Sequence, residues 1–237
     1  MDALTLILSA LLGYLLGSLS FARIVTRLVS PQTDIQTIEI PLAPGSDQKY
    51  RFESMGATTA SMALGGRVGC VIGLLDMLKV TLPVLAFRLL YPAQPYFLVA
   101  ATAGMVGHNW PVFYRFKGGR GISAAYGGLL AIDPIGAVVA AFGGLALGLL
   151  VVRDFVVAYL AGLWLLIPWM AIVRQDLAYV LYAAALNALF MLSMIPDLKV
   201  YMKSRRMGVT DTQYVMQITP MGRGMLKIAE RLKIPMR

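Results

Sequence analysis

The sequence predicts an all-α polytopic membrane protein with about seven transmembrane segments, and three observations carry this prediction. The chain of 237 residues has a mean hydropathy of +0.71. Hydrophobic residues make up 58% of it and charged residues only 14%. The apolar residues fall into successive runs, as expected when each run crosses or enters a bilayer. The formal charge of +9 is explained by basic residues in the connections between these runs, where membrane topology places them. We therefore expect no nucleic-acid partner.

The apolar runs are assigned as membrane segments in chain order. The only charged side chain before the first run is that of Asp2, so a basic n-region is missing and we expect a retained helix rather than a cleaved signal peptide. The fourth run has 11 residues, whereas a crossing needs about 20, so we expect a half-depth helix buried among the others. The seven segments are Leu4–Ala22, Val68–Leu90, Tyr96–Phe113, Ile122–Ile132, Ile135–Val152, Val156–Val173 and Leu177–Met194.

Lysine and arginine residues predict the orientation. They concentrate in alternate connections, and the opposite side holds only Arg88 and Arg174. By the positive-inside rule, the N-terminus lies outside and the C-terminus is cytoplasmic. Residues 1–196 then form the transmembrane domain, with a cytoplasmic loop at 28–56, and residues 197–237 form a basic cytoplasmic tail. The basic connections hold Arg23, Arg27, Lys49, Arg51 and Arg67, then Arg115, Lys117 and Arg120, then Arg153, with nine more cations after Pro196.

Two segments outside the apolar runs have local patterns of their own. Ile35–Pro41 and Lys49–Phe52 read as extended and flank the turn signal Pro44–Asp47, which predicts a small hairpin. In the tail, Met225–Ile234 has apolar residues at helical spacing with basic residues between them. Such a helix lies on the anionic inner leaflet or is an ordinary solvated terminal helix, and the pattern leaves both open.

Small residues recur at a spacing of four in three of the apolar runs. This spacing favours close helix packing over a direct functional part. The pairs are Gly13 with Gly17, Gly69 with Gly73, and Gly144 with Gly148.

The stretch Gly107–Gly127, GHNWPVFYRFKGGRGISAAYG, is the most informative in the chain. It leaves one apolar run, places Lys117 and Arg120 around three glycines, and enters the next run at Ile122. Glycine lets backbone N–H groups turn inward, and a helix start adds unpaired N–H donors and a favourable dipole end. The stretch therefore predicts an anion site, most plausibly for phosphate. It is not a Walker A loop, because the G-x-x-x-x-G-K-[ST] spacing is absent.

Three further groups each leave two interpretations open. His108, the single histidine, is either a base or phosphate donor, or a structural residue bonded to a backbone carbonyl. Asp76 and Lys79 share a helix face, so they are functional intramembrane charges or a structural ion pair. The hydroxyl-rich run Ser54–Ser61 either donates to a second phosphate or forms a simple loop and helix cap.

Other catalytic classes lack their residues. One histidine and few acids give no Ser-His-Asp arrangement. Phe113 stands where an H-x₄-D acyltransferase motif needs an aspartate. Cys70 is the single cysteine, so an internal disulfide and a cysteine-based metal cluster are excluded, and no metal-ligand cluster is visible.

These residues resemble the bacterial membrane glycerol-3-phosphate acyltransferases that use acyl-phosphate as donor. Gly107–Gly121 is similar to their G-H-x-x-P-V-F-x-x-F-K-G-G-K-G motif, with Arg120 in place of the second lysine. Gly17–Phe21 resembles their G-S-I-P-F, and Gly56-Ala57-Thr58 the core of their G-S-G-N-x-G-A-T-N. Leu74–Lys79 resembles their L-L-D-x-x-K-G. The likeness covers about residues 10–195.

The resemblance implies a seven-helix bundle in the bacterial plasma membrane with its active site facing the cytoplasm. It implies acyl transfer from acyl-phosphate to the 1-hydroxyl of glycerol 3-phosphate, giving lysophosphatidic acid for phospholipid synthesis, with no cofactor and no metal. Membrane lipids would surround the site. The implied catalytic residues are Lys117, Arg120 and His108, and the implied substrate- and phosphate-binding residues are Gly118, Gly119, Gly121, Ser123, Gly56, Ala57, Thr58 and Ser18.

The chain departs from the family pattern in two places. Ser54 and Thr59 stand where the first motif has asparagine, and Phe52 and Met62 where it has serine and arginine. Around Asp197, where the family has a His–Asn–Glu cluster, there is no histidine. An alternative therefore stays open: a catalytically inactive or altered-substrate homologue that binds phosphate or anionic lipid, or that partners an active paralogue. A small transporter is a third, weaker alternative.

Overall fold

The computed structural model describes residues 2–35, 38–41, 49–51, 54–206, 216–217 and 219–234. Helices dominate the described part, with one pair of short strands between α2 and α3. The elements are α1 (Ala3–Gly17), α2 (Phe21–Val29), β1 (Glu39–Pro41), β2 (Lys49–Arg51), α3 (Ala57–Leu64), α4 (Gly66–Leu90), α5 (Tyr96–Asn109), α6 (Ile122–Ile132), α7 (Pro134–Val152), α8 (Phe155–Val173), α9 (Leu177–Arg206) and α10 (Pro220–Arg231).

In the part of the chain that the structure describes, four helical stretches are long and apolar enough to cross a membrane: Ala3–Val29, Gly66–Leu90, Pro134–Val152 and Leu177–Lys199. Residues 122–132 and 157–173 form shorter apolar helices. Every one of the seven predicted segments contains a helix, and the chain is a multi-pass membrane protein. Exposed leucine and isoleucine side chains on the long helices form the outer surface that such a protein presents to lipid.

The first predicted segment, Leu4–Ala22, is interrupted rather than continuous. α1 ends at Gly17, and α2 begins at Phe21 after a short break. Within the break, the Lys79 ammonium donates to the carbonyl oxygen of Leu19 at 2.5 Å. A partner from α4 thus stabilises the carbonyl that the helix leaves unpaired, which local sequence does not reveal.

Glycines let α1 and α5 pack backbone to backbone. A Cβ added to Gly13 would lie 2.3 Å from the Ala100 carbonyl oxygen, and one added to Gly17 would lie 2.2 Å from that of Gly104. In the same way, Gly148 on α7 has no room for a side chain beside Ala158 on α8. The small-residue pairs in these helices therefore serve close packing, as their spacing predicts.

The short helix α6 ends on a polar cluster at the far end of the bundle from the glycine loop. Arg88 donates to the carbonyls of Ala131 and Ile132, and Arg174 donates to Ile132 at 3.2 Å. The Asp133 carboxylate accepts from Trp169 Nε1 at 2.9 Å. A helix of 11 residues is about 16 Å long, roughly half of a bilayer core. The arginines supply the hydrogen bonds that its final carbonyls would otherwise lack in hydrocarbon.

The main hydrophobic core lies among α4, α5, α6, α8 and α9. Phe190, Leu129, Val80 and Met105 are fully buried in it. At the end of the bundle that carries the glycine loop, β1 pairs with β2 as an antiparallel ladder, with Ile40 opposite Tyr50. The turn predicted at 44–47 lies outside the described residues.

Candidate active site

The loop that joins α5 to α6 is folded tightly by its own backbone. The Pro111 carbonyl accepts from the N–H groups of both Tyr114 and Phe116, at 3.1 and 3.0 Å. Arg115 and Phe116 adopt left-handed φ angles of 53° and 59°. Gly121, with φ of 88°, then turns the chain into the first residue of α6. This φ favours glycine because other residues carry a Cβ penalty there.

The glycines of the loop pack directly on the end of α5. The Gly119 N–H donates to the His108 carbonyl at 3.0 Å. A Cβ added to Gly118 would lie 2.1 Å from that same carbonyl oxygen, and one added to Gly119 would lie 2.2 Å from His108 Nε2. These two glycines are therefore required for close approach. The Gly119 N–H is already bonded to the His108 carbonyl. At an anion site, Gly119 would therefore contribute the space left by the absence of a side chain rather than a hydrogen-bond donor.

The segment before α3 meets this loop. The Met55 N–H donates to the Gly118 carbonyl at 2.9 Å. Gly56 faces Gly119, since an added Cβ would lie 3.9 Å from the Gly119 Cα atom. Two of the three residues Gly56-Ala57-Thr58 are partly buried, whereas Thr58 is exposed. Two motifs about 60 residues apart in the sequence thus lie side by side.

Hydroxyl groups near this junction are divided between structural and open positions. Thr59 Oγ1 accepts from the Gly56 N–H at 3.1 Å and donates to the Gly56 carbonyl at 2.9 Å, so it caps α3. Ser18 Oγ donates to the Tyr14 carbonyl at 2.8 Å. Ser123, in the first turn of α6, lies close to Gly73, since its Oγ would be 3.8 Å from a Cβ added to that glycine. Of these three hydroxyls, that of Ser123 lies at the helix start, where the N–H groups have no intrahelical partner.

Lys117 is exposed at the tip of the loop, and Arg23 holds its backbone in place. Arg23 is buried on α2 and donates through Nη2 to the Lys117 carbonyl at 2.7 Å. Its guanidinium also lies 4.5 Å from the ring centroid of Tyr114, a cation–π distance. From the sequence, Arg23 indicates only the topology. Its place in the G-S-L-S-F-A-R run was the one signal that could have drawn attention to it.

Arg120 turns away from the loop toward α9. It makes a bidentate pair with Asp197, from Nε at 2.6 Å and from Nη2 at 2.8 Å, and donates through Nη1 to the Ser193 carbonyl at 2.7 Å. Ser193 Oγ donates back to the Arg120 carbonyl at 3.0 Å. The guanidinium therefore joins the loop to the last long helix. Asp197 stands in the region where the resemblance expects a polar cluster, and sequence reasoning did not pair it with Arg120.

A buried charged cluster lies behind the loop. Lys79 Nζ is 2.7 Å from Asp76 Oδ1, with both side chains almost fully buried, so the ion pair that their spacing allows is present. His108 Nδ1 lies 3.6 Å from the same carboxylate oxygen. These three side chains line a narrow pocket together with Ser18, Ser20 and Met55. The structural bond from His108 to a backbone carbonyl, one of the two interpretations of this residue, is absent for Nδ1 among the described residues.

Positive charge and hydrogen-bond donors are concentrated at this end of the bundle. Lys117, the first turn of α6 and the glycine loop supply positive charge and N–H donors at one end of the bundle. Ser18, Ser20 and the Asp76–Lys79–His108 cluster supply polar groups next to them. Among the described residues, no group of three His, Cys, Asp or Glu side chains could hold a metal ion.

Several known proteins are similar to this chain in sequence. A family model described as glycerol-3-phosphate acyltransferase matches residues 7–203. A glycerol-3-phosphate acyltransferase of Myxococcus xanthus is 37% identical over 132 residues, 55% of this chain and 62% of the relative. One of Halalkalibacterium halodurans is 32% identical over 146 residues, 61% of this chain and 64% of the relative. The matched segments thus span less than two thirds of these relatives' lengths.

The fold is also similar to a solved one. The crystal structure of PlsY, an integral membrane glycerol 3-phosphate acyltransferase, in its glycerol 3-phosphate form aligns with a TM-score of 0.69. The alignment covers 84% of this chain and 93% of that protein at 23% sequence identity. The lysophosphatidic acid form of the same protein aligns with a TM-score of 0.67. At this identity the likeness concerns the fold.

Proposed function

Because this chain belongs to the glycerol-3-phosphate acyltransferase family, we propose that it transfers an acyl group from acyl-phosphate to the 1-hydroxyl of glycerol 3-phosphate. The products are lysophosphatidic acid and inorganic phosphate. The relatives' names support the acceptor, and PlsY was solved with glycerol 3-phosphate and with lysophosphatidic acid. The acyl-phosphate donor rests on the motif resemblance alone.

One observation supports this proposal most directly, namely the bond between the Met55 N–H and the Gly118 carbonyl. It joins the Gly56-Ala57-Thr58 segment, assigned to the acceptor, with the glycine loop, assigned to phosphate. A transfer reaction needs both substrates within reach of each other, and holding them there supplies much of the rate. Gly56 also lies close to Gly119, since a Cβ added to Gly56 would be 3.9 Å from the Gly119 Cα atom, and this brings the two segments together at a second point.

In the proposed reaction, the acceptor hydroxyl oxygen bonds to the acyl carbon, and the bond from that carbon to the phosphate oxygen breaks. The hydroxyl proton passes to a phosphate oxygen of the donor, so no protein base is required. Lys117 and the first-turn N–H groups of α6 stabilise the negative charge that grows on the leaving phosphate. Gly118 and Gly121 let the backbone approach it.

The remaining site residues take supporting roles in this proposal. Arg120 anchors the loop to α9 through Asp197 and adds positive charge nearby. His108 lines the pocket with Ser18, and the Asp76 carboxylate lies 3.6 Å from its Nδ1 atom. Ser123 adds a hydroxyl donor at the helix start. By the positive-inside rule we place this end of the bundle in the cytoplasm, where glycerol 3-phosphate is available.

A second candidate is a homologue that binds phosphate or anionic lipid without transferring the acyl group, alone or as the partner of an active paralogue. The engagement of Arg120 favours it, because Asp197 and the Ser193 carbonyl occupy that guanidinium. Of Lys117 and Arg120, Lys117 is then the cation left to meet a substrate. A non-catalytic binder needs fewer preorganised donors than a transferase does.

The experiment is acyl transfer by the purified chain from palmitoyl phosphate to radiolabelled glycerol 3-phosphate. We expect turnover, and Lys117→Ala should lower it by about 10²–10³-fold, the usual cost of one preorganised donor. Arg115→Ala is the matched control, since Arg115 is an exposed cation of the same loop that is not placed in the site. An absence of turnover from folded protein would support the binding alternative. Equal losses in both variants would contradict the role given to Lys117.

A further inference from the structure

The tail helix α10 is docked on the bundle by one face. Gly222, Met225 and Ala229 are buried on that face. Met225 packs in one cluster with Leu149, in the last turn of α7, and with Ala158, in the first turn of α8. α10 also contacts α3. It is therefore a fixed part of the end of the molecule that carries the glycine loop.

The opposite face of α10 carries a basic stripe. Arg223, Lys227 and Arg231 follow each other at intervals of four residues, which places them on one side of a helix. All three are exposed. Beside the stripe, Ile228 is 38% exposed and Leu232, just after the helix, is 57% exposed. A basic stripe beside an apolar edge is typical of helices that lie in the membrane interface.

The docking partners of α10 show its depth relative to the membrane. Leu150 and Val151, next to the Leu149 contact, are 54% and 70% exposed. They end an apolar helix long enough to cross the bilayer, so this surface faces lipid. α10 packs where that apolar surface stops. The phosphate groups of lipids lie at the same level, because headgroups begin where the hydrocarbon core ends.

We propose that the outer face of α10 is a docking surface for anionic lipid headgroups. Lys227 and Arg231 contact the phosphates of an anionic lipid, and Ile228 and Leu232 rest against its glycerol backbone and upper acyl chains. We choose an anionic partner because its negative charge is complementary to the basic stripe. The family match ends at residue 203, so this surface is an addition to the family region. The proposal does not depend on the acyl-transfer activity.

The test is native mass spectrometry of the full chain in a neutral detergent, titrated with phosphatidylglycerol or with phosphatidylcholine. We expect phosphatidylglycerol to bind more tightly. A basic residue near an anionic surface contributes about fivefold in affinity, so the pair Lys227→Gln and Arg231→Gln should weaken phosphatidylglycerol binding roughly 10- to 30-fold. Phosphatidylcholine binding should be nearly unchanged. Both residues are exposed, so the variant keeps its buried contacts.

Two controls make the result specific to α10. The pair Arg27→Gln and Arg67→Gln removes the same charge from exposed sites outside α10, and it should weaken phosphatidylglycerol binding less than the α10 pair does. Glu230→Gln removes the carboxylate of α10 and should strengthen binding. Equal weakening by the two double variants would overturn the proposal. So would equal affinity of the unaltered protein for the two lipids, or displacement of phosphatidylglycerol by millimolar inorganic phosphate.

Discussion

Replacing Gly118 with alanine tests whether the close contact between the glycine loop and α5 sets the geometry of the site. The added Cβ would lie 2.1 Å from the His108 carbonyl oxygen, 2.6 Å from Pro111 Cδ and 2.7 Å from the Asn109 carbonyl oxygen. Two of these neighbours are backbone atoms at the end of α5, so a rotamer change cannot relieve the clash. Ordinary van der Waals contact begins at 3.4 Å, so the loop must move by about 1.3 Å.

The movement should affect rate much more than stability. Overpacking of this kind costs about 1–3 kcal/mol of folding free energy. A misplacement of about 1 Å at a reacting centre costs about 10²-fold in rate. The same shift would pull on the bonds from Gly119 N–H to His108 and from Met55 N–H to Gly118. We therefore expect kcat/KM of Gly118→Ala to fall about 100-fold in a folded protein.

The assay is acyl transfer from palmitoyl phosphate to glycerol 3-phosphate, with thermal unfolding measured on the same preparations. Gly66→Ala is the matched control, because no heavy atom of the described residues lies within 4 Å of its added Cβ and its φ is not positive. It should keep full activity. Activity of Gly118→Ala within about threefold of the unaltered chain would refute the argument that this contact sets the site. A comparable loss in Gly66→Ala would show that any added methyl group disturbs the protein.

Four other substitutions test the hydrogen bonds that hold the site and the bundle. Asp197→Asn should weaken the bidentate pair with Arg120, and a double-mutant cycle with Arg120→Gln, read by unfolding, should give a coupling of about 1–2 kcal/mol. Arg88→Leu removes the arginine donor of the Ala131 carbonyl and leaves Ile132 with Arg174 alone, so it should cost about 1–3 kcal/mol, whereas an unchanged unfolding midpoint would contradict that role. Trp169→Phe removes the indole donor to Asp133 and should cost about 1 kcal/mol, measured in the same way.

Sequence reasoning was most successful where a property can be read along the chain. Each predicted apolar run contains a helix, because a membrane segment is specified by its own composition and length. The short run Ile122–Ile132 is a helix with the predicted bounds. The sequence predicted its start at Ile122, after Gly121, and the φ of 88° at Gly121 is one that glycine adopts without a Cβ penalty. The family resemblance could also be read along the chain, because its glycine motif is a contiguous stretch of sequence.

The same reasoning went wrong where a local run is interrupted by a distant group. Leu4–Ala22 reads as one helix, yet the chain breaks at Ser18–Ser20, and Lys79 on α4 satisfies the Leu19 carbonyl. Nothing in the composition of the first run contains that information. The break is tolerated in an apolar environment because a cation 60 residues away donates a hydrogen bond to the Leu19 carbonyl.

The sequence by itself determined the class of protein, the positions of the apolar helices and the existence of a glycine loop with two cations. Only the tertiary structure decided what each cation does. Arg120 pairs with Asp197, 77 residues away, and Arg23 holds the carbonyl of Lys117, 94 residues away. A charge in an apolar chain signals that it needs a partner, because an unpaired buried charge is costly. Which partner it meets depends on how the helices pack, and that arrangement is a property of the whole chain.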